Sequence, residues 1–273
     1  MAEERPSIGR VLIVAGSDSG GGAGIQADIK TVTALGGYAA TAITALTAQN
    51  TRGVFGVVPV DPAFVAKQME VVLTDIGADC VKTGMLHSAE VIEAVVRSLE
   101  RHARGVPVIV DPVMVAKGGA SLLRAEAKSA LKLRLLPCAA LVTPNAPEAE
   151  ALTGVKVESP DDMGRAADAL LGLGASAVLV KGGHLGGDTV VDLLRTVDGV
   201  ERRFESPRLH SRSTHGTGCT LASAIAAGVA EGLRLEDAVA RARDYVLEAI
   251  ASAPGLGKGH GPLDHGHPCR KPA

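Results

Sequence analysis

The chain has 273 residues and a formal net charge of −2; 46% of its residues are hydrophobic, but only 2% are aromatic. A large core built from Val, Ile, Leu and Ala suits a buried parallel sheet covered by helices. The sequence contains no basic block, no signal-peptide pattern at its start and no apolar run near the roughly 18 residues that span a bilayer. We therefore expect a cytoplasmic protein with neither nucleic acid nor membrane as a partner.

Short apolar runs alternate with longer helical patterns along the chain. Strand followed by helix, repeated, predicts an α/β fold with a central, mostly parallel sheet and helices on both faces. Strands are predicted at residues 11–15, 41–46, 54–60, 79–82, 106–110, 141–143, 177–180 and 190–194. Helices are predicted at residues 24–35, 62–75, 89–102, 124–136, 147–152, 160–173, 217–231 and 235–251.

The chain contains no linker long enough to divide it, so residues 1–273 are predicted to form one domain. The ordered core is expected at residues 8–263. Residues 264–273 follow a stretch rich in Gly, Pro and His and are predicted to be a flexible tail. The extended stretch 49–62 is predicted to form a small flap beside the main sheet.

Polar residues follow several of the predicted strands, at the point where each strand ends. In a parallel sheet, ligands bind outside the carboxyl ends of the strands. The convergence of polar side chains at that edge is the main architectural reason to expect an enzyme. These residues are Ser17, Asp18, Gln49, Asn50, Asp111, Asn145, Glu148 and Lys181.

A glycine-bounded segment precedes the helix predicted from Thr217. Its residues are Thr-His-Gly-Thr-Gly-Cys-Thr, starting at Thr214. The glycines let backbone N–H groups turn toward one point, and the helix N-terminus adds the positive end of its dipole. Gly216, Thr217 and Gly218 are therefore predicted to form an anion site that suits a phosphoryl group in transfer.

Cys219 lies in the first turn of the same predicted helix. A helix N-terminus lowers the pKa of a thiol from its ordinary value of about 8.5. Cys219 is therefore predicted to accept a proton from an alcohol as a general base. The alternative is a small buried residue without a chemical role. The glycines that precede Cys219 favour the functional interpretation.

Asn145 and Glu148 stand three residues apart at a predicted helix start. Their oxygen atoms can meet on one side and hold Mg²⁺, directly or through water. The alternative is an ordinary capping box, in which Asn145 caps the helix and Glu148 is its partner. Asp111, at a neighbouring strand end, makes the metal interpretation more plausible.

Lys181 ends a predicted strand and is followed by Gly-Gly-His. A lysine before a flexible turn can reach nucleotide phosphates, although a surface lysine before a glycine turn is equally compatible with the pattern.

The glycine-rich segment 16–24 lacks the acidic partner of a dinucleotide site, and the chain contains no P-loop pattern. That segment then serves as a tight turn that brings Asp28 near a substrate. Near the end of the chain, the pattern of a possible metal cluster is formed by His260, His265, His267 and Cys269, but the glycines and prolines between them favour a mobile tail over a structural metal site.

Seven motifs, in order from about residue 11 to residue 263, resemble those of the hydroxymethylpyrimidine/phosphomethylpyrimidine kinases. They are GSDSGGGAGIQAD from Gly16, TAQN from Thr47, KTGML from Lys82, VDPVMVA from Val110, TPNAPEAE from Thr143, KGGH from Lys181 and THGTGCT from Thr214. The resemblance implies a three-layer ribokinase-like fold and a role in thiamine biosynthesis. It also implies ATP and Mg²⁺ as cofactors and a homodimer. Such enzymes phosphorylate 4-amino-5-hydroxymethyl-2-methylpyrimidine and then its monophosphate.

Carried over position by position, the resemblance implies that Gln49 bonds the aminopyrimidine edge. It implies a base role for Cys219 and phosphate contacts for the residues before it. The other implied roles are a substrate pocket with Asp28, Met85 and Gly16, nucleotide contacts by Lys181, Lys258 and Asn145, and Mg²⁺ held by Glu148 and Asp111.

Four other functions remain open from the sequence. Pyridoxal kinase shares the implied fold and also acts on a hydroxymethylated nitrogen ring, but Gln49 suits an aminopyrimidine better because an amide both donates and accepts. A hydroxyethylthiazole kinase fits the first glycine segment poorly. A non-catalytic pyrimidine sensor would have no need of Lys181 and Glu148. A nucleotide-dependent dehydrogenase would have to bind NAD.

Overall fold

A computed structural model describes residues 8–114, 122–123 and 126–270 of the chain. The β-strands within these residues form one sheet. They are β1 Arg10–Asp18, β2 Tyr38–Asn50, β3 Gly53–Pro59, β4 Cys80–Thr83, β5 Val108–Val110, β6 Leu141–Val142, β7 Ala177–Lys181, β8 Thr189–Thr196 and β9 Glu201–Pro207.

The strand order across the sheet is β3-β2-β1-β4-β5-β6-β7-β8-β9. The central strands from β2 to β7 in that order run parallel, whereas β3, β8 and β9 are antiparallel additions at the two edges. From β1 the chain first builds outward to β2 and β3 and then returns to β4 on the other side. The carboxyl ends of β1 and β4 therefore flank a topological switch point, where open α/β sheets bind ligands.

The helices are placed largely where the helical patterns predict them. They are α1 Gly24–Ala34, α2 Pro62–Asp75, α3 Ala89–His102, α4 Ala127–Ala130, α5 Ala146–Thr153, α6 Pro160–Leu171, α7 Thr217–Ala230 and α8 Leu235–Ala251. Side chains with the expected capping chemistry, such as Asp61 at α2 and Ser159 at α6, accept backbone N–H bonds at the helix starts. In the described part of the chain, no helix is long and apolar enough to cross a membrane.

Helices cover both faces of the sheet, and each face has its own apolar core. Along β1, Leu12 and Val14 pack into one core, whereas Val11, Ile13 and Ala15 pack into the other. The first core includes residues of α2, α3, α5 and α6, and the second includes residues of α1, α7 and α8. The three-layer α/β prediction is confirmed.

Two elements differ from their predictions. β9 was missed because its sequence, Glu-Arg-Arg-Phe-Glu-Ser-Pro, is mostly charged. Only Phe204 and Ser206 are buried in it, as is common for an edge strand. The helix predicted at 124–136 begins as α4, widens to a π-helical turn over Leu131–Leu135 and tightens to a 3₁₀ turn over Leu136–Cys138. Residues 124–125 lie outside the described residues.

The predicted flexible tail is packed over its described part. Asp264 and His265 are buried, and the Asp264 N–H donates to the Ala249 carbonyl in α8 at 2.9 Å. The Tyr245 hydroxyl donates to the His265 carbonyl at 2.7 Å. The prediction failed because it rested on Gly and Pro content alone, which does not reveal partners in distant helices. Residues 271–273 lie outside the described residues.

The stretch predicted as a flap is part of a hairpin formed by β2 and β3. Its turn contacts the chain beyond α8, where the Thr51 hydroxyl accepts from the N–H groups of Lys258 and Gly259, both at 3.2 Å. The hairpin therefore lies beside the carboxyl ends of the central strands and forms one wall of the site described next.

Candidate active site

A cleft of about 660 Å³ lies outside the carboxyl ends of the parallel strands, at the switch point between β1 and β4. This volume falls within the range of roughly 300–1,000 Å³ common for small-molecule sites. Following the strand order, the wall passes from Gln49, Gly16 and Met85 through Asp111 and Lys181 to residues of β8 and β9. One cleft thus contains most of the predicted site residues.

The segment before α7 has the geometry of an anion site. Gly216 has a φ of +86°, and a Cβ at this position would lie 1.8 Å from the Gly22 carbonyl oxygen. Only glycine fits there, because a side chain would be both strained and in collision. α7 begins at Thr217, so the N–H groups of its first turn lie at the cleft. The loop that contains Gly22 and the loop that contains Gly216 therefore pack closely against each other at the cleft wall.

Lys181 lies between two carboxylates. Its Nζ donates to Asp111 Oδ1 at 3.1 Å and lies 4.0 Å from Glu148 Oε2. A Cβ at Gly218 would come within 3.3 Å of the same Nζ. Since Gly218 belongs to the predicted anion site, the lysine, the two carboxylates and the helix N-terminus form one polar cluster.

Asn145 and Glu148 form a complete capping box at the start of α5. The Glu148 N–H donates to Asn145 Oδ1 at 2.9 Å, and the Asn145 N–H donates to Glu148 Oε2 at 2.8 Å. Burial raises the pKa of Glu148 to about 7, although Lys181 acts in the opposite direction. Both residues also line the cleft. The capping alternative is therefore realised, and it fixes Glu148 at the cleft.

Cys219 lies at the cleft, but its pKa is raised, whereas the sequence predicts a lowered pKa. Burial raises the pKa of the Cys219 thiol to about 12, even though the Lys82 ammonium acts to lower it. The expectation of a lowered pKa was wrong because it considered the helix N-terminus and not the protein that packs around the sulfur, which is half-buried at the cleft wall and so less well solvated as a thiolate. In the free protein the thiol is protonated at neutral pH.

Asp28 does not line the cleft, contrary to the role implied by the resemblance. Its carboxylate is fully buried and accepts two bonds from Lys82 Nζ at 2.9 and 2.8 Å and one from Ser223 Oγ at 2.7 Å. Burial alone would lower the pKa of Lys82, but the combined effect of Asp28, Cys219 and Asp111 raises it above its ordinary value. Lys82 lines the cleft, so Asp28 acts beneath its floor.

Gln49 belongs to a hydrogen-bonded group that joins three loops. Its side-chain amide lies 3.2 Å from His215 Nε2. This histidine nitrogen also lies 2.8 Å from Asp18 Oδ2. Burial alone would raise the pKa of Asp18, but His215 and backbone N–H groups hold it below its ordinary value. Asp18 is therefore an anion.

The other predicted residues divide into two groups. Met85 and Gly16 line the cleft together, and a Cβ at Gly16 would lie 3.0 Å from Met85 Sδ. The Lys258 side chain is exposed and does not line the cleft, although its N–H bonds Thr51. The Lys258 side chain is therefore not at the nucleotide position that the resemblance implies.

The far part of the cleft has an apolar wall and one buried ion pair. Val190, Leu209 and Ile250 line it. Arg243 pairs with Asp192 and donates to Ser206 Oγ at 3.0 Å, while Asp192 accepts from the Gly182 N–H at 2.8 Å. The pair ties α8, β8 and β9 to the loop after Lys181.

The profile of the family described as phosphomethylpyrimidine kinase matches residues 18–264. The chain belongs to this family. It is 51% identical to the hydroxymethylpyrimidine/phosphomethylpyrimidine kinase of Streptomyces coelicolor over 94% of both chains. It is 45% identical to the Escherichia coli protein of the same name, over 94% of this chain and 97% of that one. The predicted kinase function in thiamine biosynthesis is confirmed.

A longer relative and two solved structures extend the comparison. The chain is 58% identical to the bifunctional thiamine biosynthesis protein ThiED of Geobacter sulfurreducens, over 94% of this chain but only 52% of that protein. The crystal structure of the Clostridium difficile phosphomethylpyrimidine kinase has a TM-score of 0.79 at 43% identity, covering 89% of this chain and 100% of that one. The Staphylococcus aureus pyridoxal kinase in complex with AMP-PCP and pyridoxal has a TM-score of 0.87 at 35% identity, covering 95% and 94%. The ribokinase-like fold is confirmed. The solved structures of such kinases include complexes with a nucleotide.

Three polar groups at the cleft received no role from the sequence. Lys82 carried a usable signal, because a charged residue inside a strand buried on both faces must find a partner. Asp18 and His215 each flank a glycine-rich loop, but nothing local pairs them. Arg243 and Asp192 lie on a helix and a strand 51 residues apart, and their pairing depends on the packing of α8.

Proposed function

We propose that the protein transfers a phosphoryl group from Mg-ATP to 4-amino-5-hydroxymethyl-2-methylpyrimidine and then to the resulting monophosphate. The observation that carries this proposal is the arrangement of one cleft. An amide suited to an aminopyrimidine edge, Gln49, shares it with a cysteine, a glycine-built anion site and the Lys181 cluster. Transfer of a phosphoryl group depends mainly on positioning and charge neutralisation, which this arrangement supplies.

At the acceptor end, Gln49 binds the amino group and ring nitrogen while Met85 and Gly16 confine the ring. The hydroxymethyl group then points toward Cys219 and the N–H groups at the start of α7. Cys219 accepts the proton of that hydroxyl during the first transfer. Because burial raises the thiol pKa to about 12, the cysteine must first release its own proton to the solvent at the cleft before it accepts one from the hydroxyl. Lys82, which favours the thiolate, assists that loss.

The phosphate and metal end is formed by Lys181, Asp111 and Glu148. The absence of a Cβ at Gly218 leaves room at Lys181 Nζ for a phosphate oxygen. The described residues contain no group of three or more His, Cys, Asp or Glu side chains placed for a metal. Mg²⁺ would therefore rest on Asp111 and Glu148 together with phosphate oxygens and water, as this ion prefers. Held there, the ion would supply positive charge against the negative charge that develops on the phosphates during transfer.

The apolar far wall formed by residues of β8, β9 and α8 suits the base of the nucleotide. Asn145 is engaged as the cap of α5 and fixes the loop beside the phosphates. Lys258 reaches the nucleotide only if its exposed side chain moves inward. The cytoplasmic location of the protein remains a prediction from the sequence.

Pyridoxal kinase is the second candidate, because pyridoxal kinases of 34–36% identity share the fold at TM-scores of 0.86–0.88. Gln49 and its neighbours favour the aminopyrimidine. A purified sample given Mg-ATP and equal amounts of hydroxymethylpyrimidine and pyridoxal is expected to form the pyrimidine diphosphate as the main product, with mono- and diphosphates resolved chromatographically. Pyridoxal phosphate as the main product would contradict the substrate assignment. No transfer to either acceptor would support the sensor alternative.

We also propose a homodimer that covers the β2–β3 hairpin and α2. β3 is an edge strand, and Phe55, Val58 and Phe64 on these elements are 72%, 63% and 60% exposed. An apolar edge strand left open would aggregate, so a second copy is the simplest cover.

The Phe55→Asp variant is expected to sediment as a monomer, whereas the unmodified protein sediments as a dimer. Val197, which is 67% exposed at the far edge of the sheet, provides a control: Val197→Asp should remain dimeric. An unmodified protein that is monomeric at micromolar concentration would contradict this proposal.

A further inference from the structure

The contacts around the Gln49 amide determine which of its two ends carries the oxygen. The backbone of Gln49 is fixed first, because Ser19 Oγ accepts from the Gln49 N–H at 2.8 Å and donates to the Gln49 carbonyl at 2.9 Å. The side chain can still turn, and a half-turn of its terminal amide exchanges the oxygen and the nitrogen. As the amide stands, its Oε1 lies 3.2 Å from Thr47 Oγ1 and its Nε2 lies 3.2 Å from His215 Nε2.

The Thr47 hydroxyl has one proton, and that proton is already used. Thr47 Oγ1 donates to the Ser17 carbonyl oxygen at 2.9 Å, and a carbonyl oxygen can only accept. Thr47 can therefore offer Gln49 only an acceptor. The end of the amide that faces Thr47 must be the nitrogen, since an oxygen there would meet another acceptor.

The His215 side leads to the same assignment. Its Nε2 lies 2.8 Å from Asp18 Oδ2, which also accepts from the N–H groups of Gly22 and Ala23. A carboxylate surrounded by donors requires that Nε2 carries a proton and donates it to Asp18. An amide nitrogen facing Nε2 would then place donor against donor. An amide oxygen there avoids this conflict, because it can share the Nε2 proton with Asp18 in a three-centre hydrogen bond whose longer arm is the 3.2 Å contact.

We infer that the Asp18–His215 pair, together with Thr47, locks the Gln49 amide with its oxygen toward His215 and its nitrogen toward Thr47, and that this lock selects the hydrogen-bonding pattern of the acceptor ring. The inference deepens the proposed function and rests on it. The Gln49 amide oxygen then has one free lone pair, and the amide nitrogen has one free proton. Together they fit a substrate ring edge that has a donor near His215 and an acceptor near Thr47. An aminopyrimidine has this pattern, with the amino group as donor and the adjacent ring nitrogen as acceptor.

The resulting orientation agrees with the position of the reacting group. In the proposed substrate the hydroxymethyl carbon is attached beside the carbon that bears the amino group. With the amino group toward His215, the hydroxymethyl group lies on the side of residues 216–219, which continue directly from His215 in the chain. His215 is thus a positioning residue that sets ring orientation through Gln49.

The 4-oxo analogue of the pyrimidine provides a direct test, because its ring N–H and carbonyl reverse the donor and acceptor positions. The unmodified protein should prefer the 4-amino compound. His215→Phe removes one of the two restraints on the amide, so the ratio of kcat/KM values for the amino and oxo compounds should fall about tenfold, as expected for losing one oriented hydrogen bond. Thr47→Val, which removes the other restraint, should lower the ratio in the same direction. His210→Phe, an exposed histidine of the same connecting segment, should leave the ratio unchanged.

Dissociation constants for both compounds, measured by calorimetry, give the same ratio without turnover. The two ideas can therefore fail separately: no phosphorylation of the amino compound by the unmodified protein contradicts the proposed function, even where the binding ratio still responds to His215. A ratio that stays constant in both folded variants, while affinity for the two compounds falls equally, overturns the lock and leaves His215 a structural role.

Discussion

The Cys219→Ala variant is expected to phosphorylate the hydroxymethyl group about 10²–10⁴-fold more slowly than the unmodified protein, the range typical of losing a general base. The second phosphorylation should lose much less. Its acceptor is a phosphate oxygen, which is largely ionised at neutral pH because its pKa is about 6. The difference between the two steps isolates the proton-accepting role, since a purely structural defect would slow both steps alike.

The rate of the first step should also depend on pH in a defined direction. With burial raising the thiol pKa to about 12, the thiolate fraction increases about tenfold for each pH unit below that value. The first transfer should therefore accelerate between about pH 7 and 9, while the second stays nearly constant. Single-turnover assays with each acceptor measure the two steps separately. Cys269→Ala, at an exposed cysteine, is the matched control. Equal losses in both steps would contradict the base role.

The Lys82→Met variant is expected to lose about 3–5 kcal/mol of unfolding free energy, because it leaves the Asp28 carboxylate buried and unpaired. Both side chains are fully buried, and among the residues that the structure describes Ser223 is the side chain that would still donate to that carboxylate. The Asp28→Asn/Lys82→Met double variant should recover most of the loss, since it removes the uncompensated charge while leaving an acceptor for Ser223.

Chemical denaturation followed by circular dichroism measures these free energies. Lys67 forms an exposed pair with Glu70 on α2, so Lys67→Met should leave the free energy of unfolding nearly unchanged. A Lys82→Met variant as stable as Lys67→Met would show that the buried pair does not hold α1 to β4. If the double variant is stable but slow only in the first transfer, the pair also supports Cys219 electrostatically.

The residues themselves determined the sheet and most of its helices. Val, Ile and Leu at both faces of β1 require cover on two sides, and the proline and capping residues at α2 and α6 define where those helices begin. The glycines before α7 indicated an anion site, because Gly216 is required by a backbone that other residues cannot adopt. These signals are local in the chain, and local signals can be interpreted without the fold.

The tertiary structure alone decided which polar groups pair and how water is excluded from them. His215 meets Gln49 across 166 positions and Asp18 across 197, and no short-range pattern encodes such contacts. Asp28 was assigned to the substrate, but the packing of α1 against β4 and α7 gives its carboxylate to Lys82 and Ser223. The pKa of Cys219 was predicted in the wrong direction for the same reason. The charge at a helix end depends on local sequence, whereas the cost of desolvating a thiolate depends on everything that packs around it.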